Sequence, residues 1–314
     1  MASHGLSPAH GAVARFTSIR PPWAGLCPLG SGEPVTSSVA DARATNLRAV
    51  RSQVDAVLEE FLAEKARVAA GRGHPPEVVQ TVRGFLAAGG ALLVGNVALM
   101  WAQELLHTAP VESGRLRRVH ELYDAMLGEV MYGQYLDVMG TGRGADDIEA
   151  ALRIIRYKTA TATIERPLQL GAAMAGAGGA VMDTFTELGL PLGEAFQLRD
   201  DLLDVFGSPD GACEPGLSDL REGKKTVLLP LGLSLADPVQ RERLDRLVGR
   251  ADLKEHEAAQ VRDILQVTGA RKETERMIAT RYGHVLRVLD QAGLPPAANR
   301  ALRGLAAKAT QYTS

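Results

Sequence analysis

Residues 194–207, EAFQLRDDLLDVFG, decide how the rest of the chain is read. Wound as an α-helix, the stretch sets Asp200 and Asp204 four residues apart on one face, with Asp201 beside them and Gln197 one turn earlier. Ala195, Phe196, Leu198, Leu202, Leu203, Val205 and Phe206 occupy the remaining faces, which gives the helix an apolar body suited to a core. Three carboxylates at one end of such a helix repel one another and lose hydration, so they call for protons or a compensating cation. Donors that are all oxygen, with no His or Cys, suit Mg²⁺, which keeps part of its water shell and shares its other positions with phosphate oxygens. The alternative is a solvated acidic face with Arg199 as a local ion-pair partner.

The composition fits a chain built around such a helix. Of 314 residues, 46% are hydrophobic but only 4% aromatic, and alternating β-branched runs are hard to find, so an all-α fold with one main core is expected. The balance of 35 basic against 37 acidic residues argues against a nucleic-acid or anionic-membrane surface, so any anion site must be local. Cys27 and Cys213 have no metal-ligand spacing and form no disulfide framework, which fits a reducing cytoplasm. The longest apolar run, 91–102, is short for a membrane span and interrupted by Gly95 and Asn96.

Residues 1–40 are rich in Ser, Gly, Pro and His without helical period, and read as a disordered tail before a helical domain over 41–314. The first helical pattern, 46–70, carries Glu59, Glu60 and Glu64, which read as a solvated face with Lys65 and Arg67 nearby. Pro75 and Pro76 open a second helix that ends at Gly89–Gly90, and a third runs from Ala91 to before Pro110. A fourth, about 113–139, holds Glu129, Gly133 and Asp137 at four-residue steps, with Gln134 three residues before Asp137. Gly inside a helix costs about 1 kcal/mol against Ala, so Gly133 predicts the close approach of a helix or ligand. Asp137 by itself is open between a ligand and a buried, hydrogen-bonded acid. Asp146 and Asp147 precede an apolar-periodic helix and read as its caps.

Lys158, among small and apolar residues, either snorkels to the surface or points into a polar cavity. Pro167 is expected to bend or break its helix, a small-residue helix to cover 168–180, and Pro191 with Gly193 to lead into the acidic helix. A polar loop follows and ends at Lys224 and Lys225, able to bring charge to the acids. Beyond Val227, helices broken at Pro230, Pro238, Gly269 and Pro295–Pro296 read as scaffold.

FQLRDDLLD resembles the second aspartate-rich motif of the trans-isoprenyl diphosphate synthases, the polyprenyl synthetase family. GQYLD at 133–137, KTA at 158–160 and GKKT at 223–226 resemble three further motifs of that family, in the family's order. The resemblance implies an isoprenoid-synthase-type helical bundle with Asp200, Asp201, Asp204 and Asp137 on Mg²⁺. It also implies a diphosphate held by Lys158, Thr159, Gln134, Gln197 and Lys224, with the two lysines assisting its departure. The implied reaction condenses an allylic diphosphate with isopentenyl diphosphate into a longer polyprenyl diphosphate, usually in a homodimer.

Three departures qualify the match. The family's first DDxxD helix belongs between Gly90 and Ala91, where this chain passes directly from FLAAGG to ALLVGN, so the bundle reads as shortened by an internal deletion. Asn96 and Glu214 stand where an acid and a lysine are expected. A synthase by descent, a catalytically silent subunit paired with a full-length synthase, and a mis-assembled reading of an ordinary enzyme are the alternatives this leaves.

Overall fold

The computed structural model describes residue 56 and residues 59–67, 92–140, 147–208, 214–224 and 226–310. The tail 1–40, the Pro75–Pro76 helix, the Gly90–Ala91 junction, Asp146, Lys225 and both cysteines lie outside those residues. Among the described residues every regular element is helical, and no helix is long and apolar enough to cross a membrane.

The chain divides into two units at Ala109 and Pro110. In the first, helical residues 59–67 meet α1 (Leu92–Thr108): the Phe61 ring stands edge-on to Trp101 at 6.0 Å, and Lys65, 5.0 Å from the centre of the Phe61 ring, pairs with Glu104. Glu59 and Glu60 are exposed and Glu64 pairs with Arg67, which is the solvated face expected.

The second unit holds α2 (Ser113–Gly140), α3 (Ile148–Ile155), a π-helical segment (Arg156–Glu165), α4 (Arg166–Ala175), α5 (Gly179–Phe206) and α6 (Ser218–Glu222). It continues through α7 (Leu228–Leu235), α8 (Pro238–Leu247), α9 (Glu255–Val267), α10 (Ala270–Gln291) and α11 (Pro296–Thr310). Asp147 caps α3 as expected, accepting from Ala150 N–H at 2.9 Å.

Three boundaries differ from the sequence expectations. Pro167 breaks nothing: Arg166 N–H bonds to Thr161 O five residues back, so the ladder has widened to π register before Pro167, which then sits in the first turn of α4. The small-residue helix stops at Ala175, where Gly176 turns left-handed. The acidic helix starts far upstream, at Gly179, and carries Pro191 in its interior. Tertiary packing holds Pro191 in place, because α5 is the helix on which α10, α11, α4 and the π-helical segment all rest. Pro230 likewise lies in the first turn of α7, where a missing N–H costs little.

The two cores of this unit are strung along α5. Leu188 and Leu192 in its first half pack with Val285, Val288 and Leu289 of α10 and Ala306 of α11. Ala195, Leu198, Leu202 and Val205 in its second half join Leu152 and Ile155 of α3, Leu228 and Leu231 of α7, and Leu265 of α9. Leu198 and Leu202 are sealed from solvent, each contributing about 1.5–3 kcal/mol. The helix that bears the acids is therefore anchored on several sides.

Candidate active site

Glycines set how closely the site-bearing helices meet. A Cβ on Gly133 of α2 would stand 2.4 Å from Lys158 N, and one on Gly193 of α5 would stand 2.4 Å from Ala160 Cα. Both positions therefore bring a backbone against the π-helical segment, as the glycine at 133 led one to expect. This contact places Lys158 and Thr159 between α2 and α5.

Lys158 Nζ meets Asp137 Oδ2 at 2.6 Å, with both side chains about a quarter to a third exposed, at 30% and 26%. Gln134 is half-buried on the same helix as Asp137. Thr159, buried, donates its hydroxyl to Gln197 Oε1 at 3.0 Å. That contact assigns Gln197 Nε2 as a donor, and it reaches Asp201 Oδ1 at 3.0 Å and Asp200 Oδ2 at 3.3 Å. Lys158, Thr159, Asp137, Gln197, Asp200 and Asp201 thus form two short chains of polar contacts across three helices.

From the other side comes α6. Gly223, left-handed at φ 59°, ends that helix and turns Lys224 back so that its Nζ lies 3.1 Å from Asp219 Oδ2 and 4.0 Å from Asp201 Oδ1. Asp204 is half-buried one turn beyond Asp200.

The electrostatics follow from burial. Asp201, 2% exposed, has its carboxyl pushed up to about 7, first by burial and then by Asp219, with Lys224 and Gln197 opposing. Asp200 is raised for the same first reason, against the pull of Lys224. Burial works against the charge on Lys224, yet Asp201, Asp219 and Asp204 outweigh it and hold the ammonium above its ordinary value.

Lys224 is placed against both Asp201 and Asp219. The oxygen-only donors of Asp200, Asp201 and Asp204 suit Mg²⁺. Among the described residues no three acids, histidines or cysteines stand close enough to enclose an ion by themselves. An ion here would draw its other ligands from water and a diphosphate, as Mg²⁺ commonly does.

Three supports escaped the sequence reading. Asp219 was visible only as an acid five residues before Lys224. Glu194 is bracketed by Arg156, at 2.9 and 3.0 Å, and Arg281 of α10, at 2.7 Å, a pairing across 38 and 87 residues that no local pattern announces. Arg166 pairs with Glu129 and donates to Gln169 Oε1 at 2.7 Å, bracing α2 against α4.

Residues 79–265 match the family model described as polyprenyl synthetase. A geranylfarnesyl diphosphate synthase of Aeropyrum pernix is 36% identical over 129 residues, 40% of each chain. A (2E,6E)-farnesyl diphosphate synthase of Mycobacterium tuberculosis is 29% identical over 225 residues, 69% of this chain and 60% of that one. The chain spans about half the length of the curated relatives it matches, with 40%, 53% and 56% of three of them covered. Among solved structures, a geranylgeranyl pyrophosphate synthase of Corynebacterium glutamicum, complexed with isoprenyl diphosphate and magnesium, superimposes with a TM-score of 0.67 at 32% identity, over 81% of this chain and 77% of that one. With the all-α bundle, the four ordered motifs and a family match that covers more than half of its length, the chain belongs to the polyprenyl synthetase family.

Proposed function

We propose that the chain is a prenyl diphosphate synthase that condenses an allylic diphosphate with isopentenyl diphosphate to a longer polyprenyl diphosphate. The observation that carries this is the convergence of Asp200, Asp201 and Lys224 at one end of α5, with Lys158 and Asp137 between the adjoining helices. Asp200, Asp201, Asp204 and Asp137 would hold Mg²⁺. Bound there, the metal supplies positive charge to a diphosphate.

The remaining roles belong to side chains of this chain. Lys158 and Lys224 present ammonium groups to the negative charge that grows on the diphosphate as the allylic C–O bond breaks and its electron pair leaves with oxygen. Thr159, Gln197 and Gln134 orient that diphosphate by hydrogen bonds. The double bond of isopentenyl diphosphate attacks the allylic cation, and loss of a proton completes the product. A reducing cytoplasm is the proposed setting, and a dimer the proposed assembly.

The test is pyrophosphate release by purified protein given Mg²⁺, an allylic diphosphate and isopentenyl diphosphate. Release above that of an Asp200→Asn, Asp201→Asn control is expected, and none above it would exclude catalysis by this chain. The partial coverage of the curated relatives favours one second reading, a non-catalytic subunit of a full-length synthase. Co-purification with such a synthase and a shift in its product length would select that reading, and a strictly monomeric chain that captures no such synthase would count heavily against it.

A further inference from the structure

The C-terminal carbonyls of α5 are taken up by protein groups. Leu203 O accepts from Gly207 N–H at 2.8 Å, Asp204 O from Gly216 N–H at 2.7 Å, and Val205 O from Arg262 Nε at 2.6 Å. The same guanidinium donates through Nη2 to Gly216 O at 3.2 Å and pairs through Nη1 with Glu255. A Cβ on Gly216 would stand 3.0 Å from Asp204 O, so the segment entering α6 lies directly on the end of the acidic helix.

Arg262 belongs to α9, and its side chain is only 12% exposed. It therefore joins three elements: the last turn of α5, the segment that leads into α6, and α9. Just beyond that segment α6 carries Asp219, and Lys224, past its end, lies 3.1 Å from Asp219 Oδ2 and 4.0 Å from Asp201 Oδ1. The other anchors of α6 point elsewhere. Arg221 donates to Leu253 O at 2.8 and 3.0 Å, and Gly249 N–H donates to Leu220 O at 2.8 Å, both toward the turn before α9.

We propose that Arg262 is a positioning residue for the acidic site, forking onto Val205 O and Gly216 O to set the spacing of α6 from α5 and with it the reach of Lys224 toward Asp201. What that spacing serves rests on the functional reading above; the clamp itself rests on the hydrogen bonds. A planar fork with several donors can hold two carbonyls in fixed relation, and a lysine ammonium, a single point on a flexible stem, cannot.

The experiment compares wild type with Arg262→Lys and, as a control, Arg221→Lys, in the full chain. Hydrogen exchange of residues 214–224 reads the clamp, and calorimetric binding of pyrophosphate with Mg²⁺ reads its use. Arg262→Lys is expected to speed exchange in 214–224 and to weaken pyrophosphate about tenfold, the range for residues that orient ligands indirectly. In a Lys224→Met background the loss from Arg262→Lys should largely disappear, because coupled residues are not additive. Arg221→Lys should leave pyrophosphate affinity within about twofold, as expected of a site with no shared partner.

Unchanged exchange in Arg262→Lys overturns the clamp. Faster exchange with unchanged affinity, or a loss that persists in full without Lys224, overturns the positioning role and leaves a helix-end contact. Failure of the wild type to bind pyrophosphate with Mg²⁺ overturns the functional reading instead, and the clamp is then decided by exchange.

Discussion

The amide of Gln197 donates to the carboxylate of Asp201 at 3.0 Å while its own carbonyl is occupied by the Thr159 hydroxyl at 3.0 Å. The direction of this relay is set from the π-helical segment, so a neutral group holds a buried acid that shares the Lys224 ammonium, 4.0 Å away, with Asp219.

The first prediction concerns pH. The folded-state value of Asp201 is about 7 against 3.8 unfolded, so between those values the folded chain keeps a proton that the unfolded chain has released. Stability therefore falls as pH rises from about 4 to about 7, and the loss levels off above that. Roughly three pH units at about 1.4 kcal/mol each put the contribution on the order of 4 kcal/mol at most. Denaturant unfolding of metal-free protein at pH 5 and pH 8 should show the decline, and Asp201→Asn should reduce it. An equal decline in the variant would remove Asp201 as its source.

A second prediction follows from the relay. Thr159→Val leaves Gln197 Oε1 buried without its donor, which costs about 1–3 kcal/mol in unfolding free energy. Thr159→Ser keeps the hydroxyl and should recover most of that loss. Equal destabilisation by both variants would show that the hydroxyl bond to Gln197 is not the source of the loss.

The glycines separate packing from helix propensity. Gly193→Ala places a methyl 2.4 Å from Ala160 Cα, a backbone atom, and should destabilise by roughly 1–3 kcal/mol or more. Gly128→Ala, in the interior of α2 with nothing within 4 Å, should stabilise by about 0.5–1 kcal/mol. Thermal melts of the two variants should move in opposite directions.

Glu194 braces the acidic helix against the π-helical segment and α10. Its side chain, 8% exposed, joins Arg156 to Arg281, which is 19% exposed. Glu194→Gln leaves Arg281 part-buried without its carboxylate and should cost about 3 kcal/mol. Binding of pyrophosphate with Mg²⁺ should survive below the melting temperature. Loss of binding in a folded variant would draw Glu194 into the site.

The helical class, the span of α2, the cap at Asp147 and the close approach at Gly133 were legible in the sequence, because each depends on residues within a few turns of one another. So was the acidic cluster of Asp200, Asp201 and Asp204, since its spacing is a property of one helix. The course of the backbone through Pro167 and Pro191 was not. Proline predicts a break from local geometry, and here a widened ladder and the neighbours of α5 override it. Asp219 against Lys224, Glu194 between two arginines, and Arg262 on Val205 and Gly216 are likewise decisions of the tertiary structure. Burial gives these contacts their weight: a carboxylate in water is solvated wherever it stands, and only where the folded chain strips that water does its value climb to about 7 and the partner across the gap begin to matter.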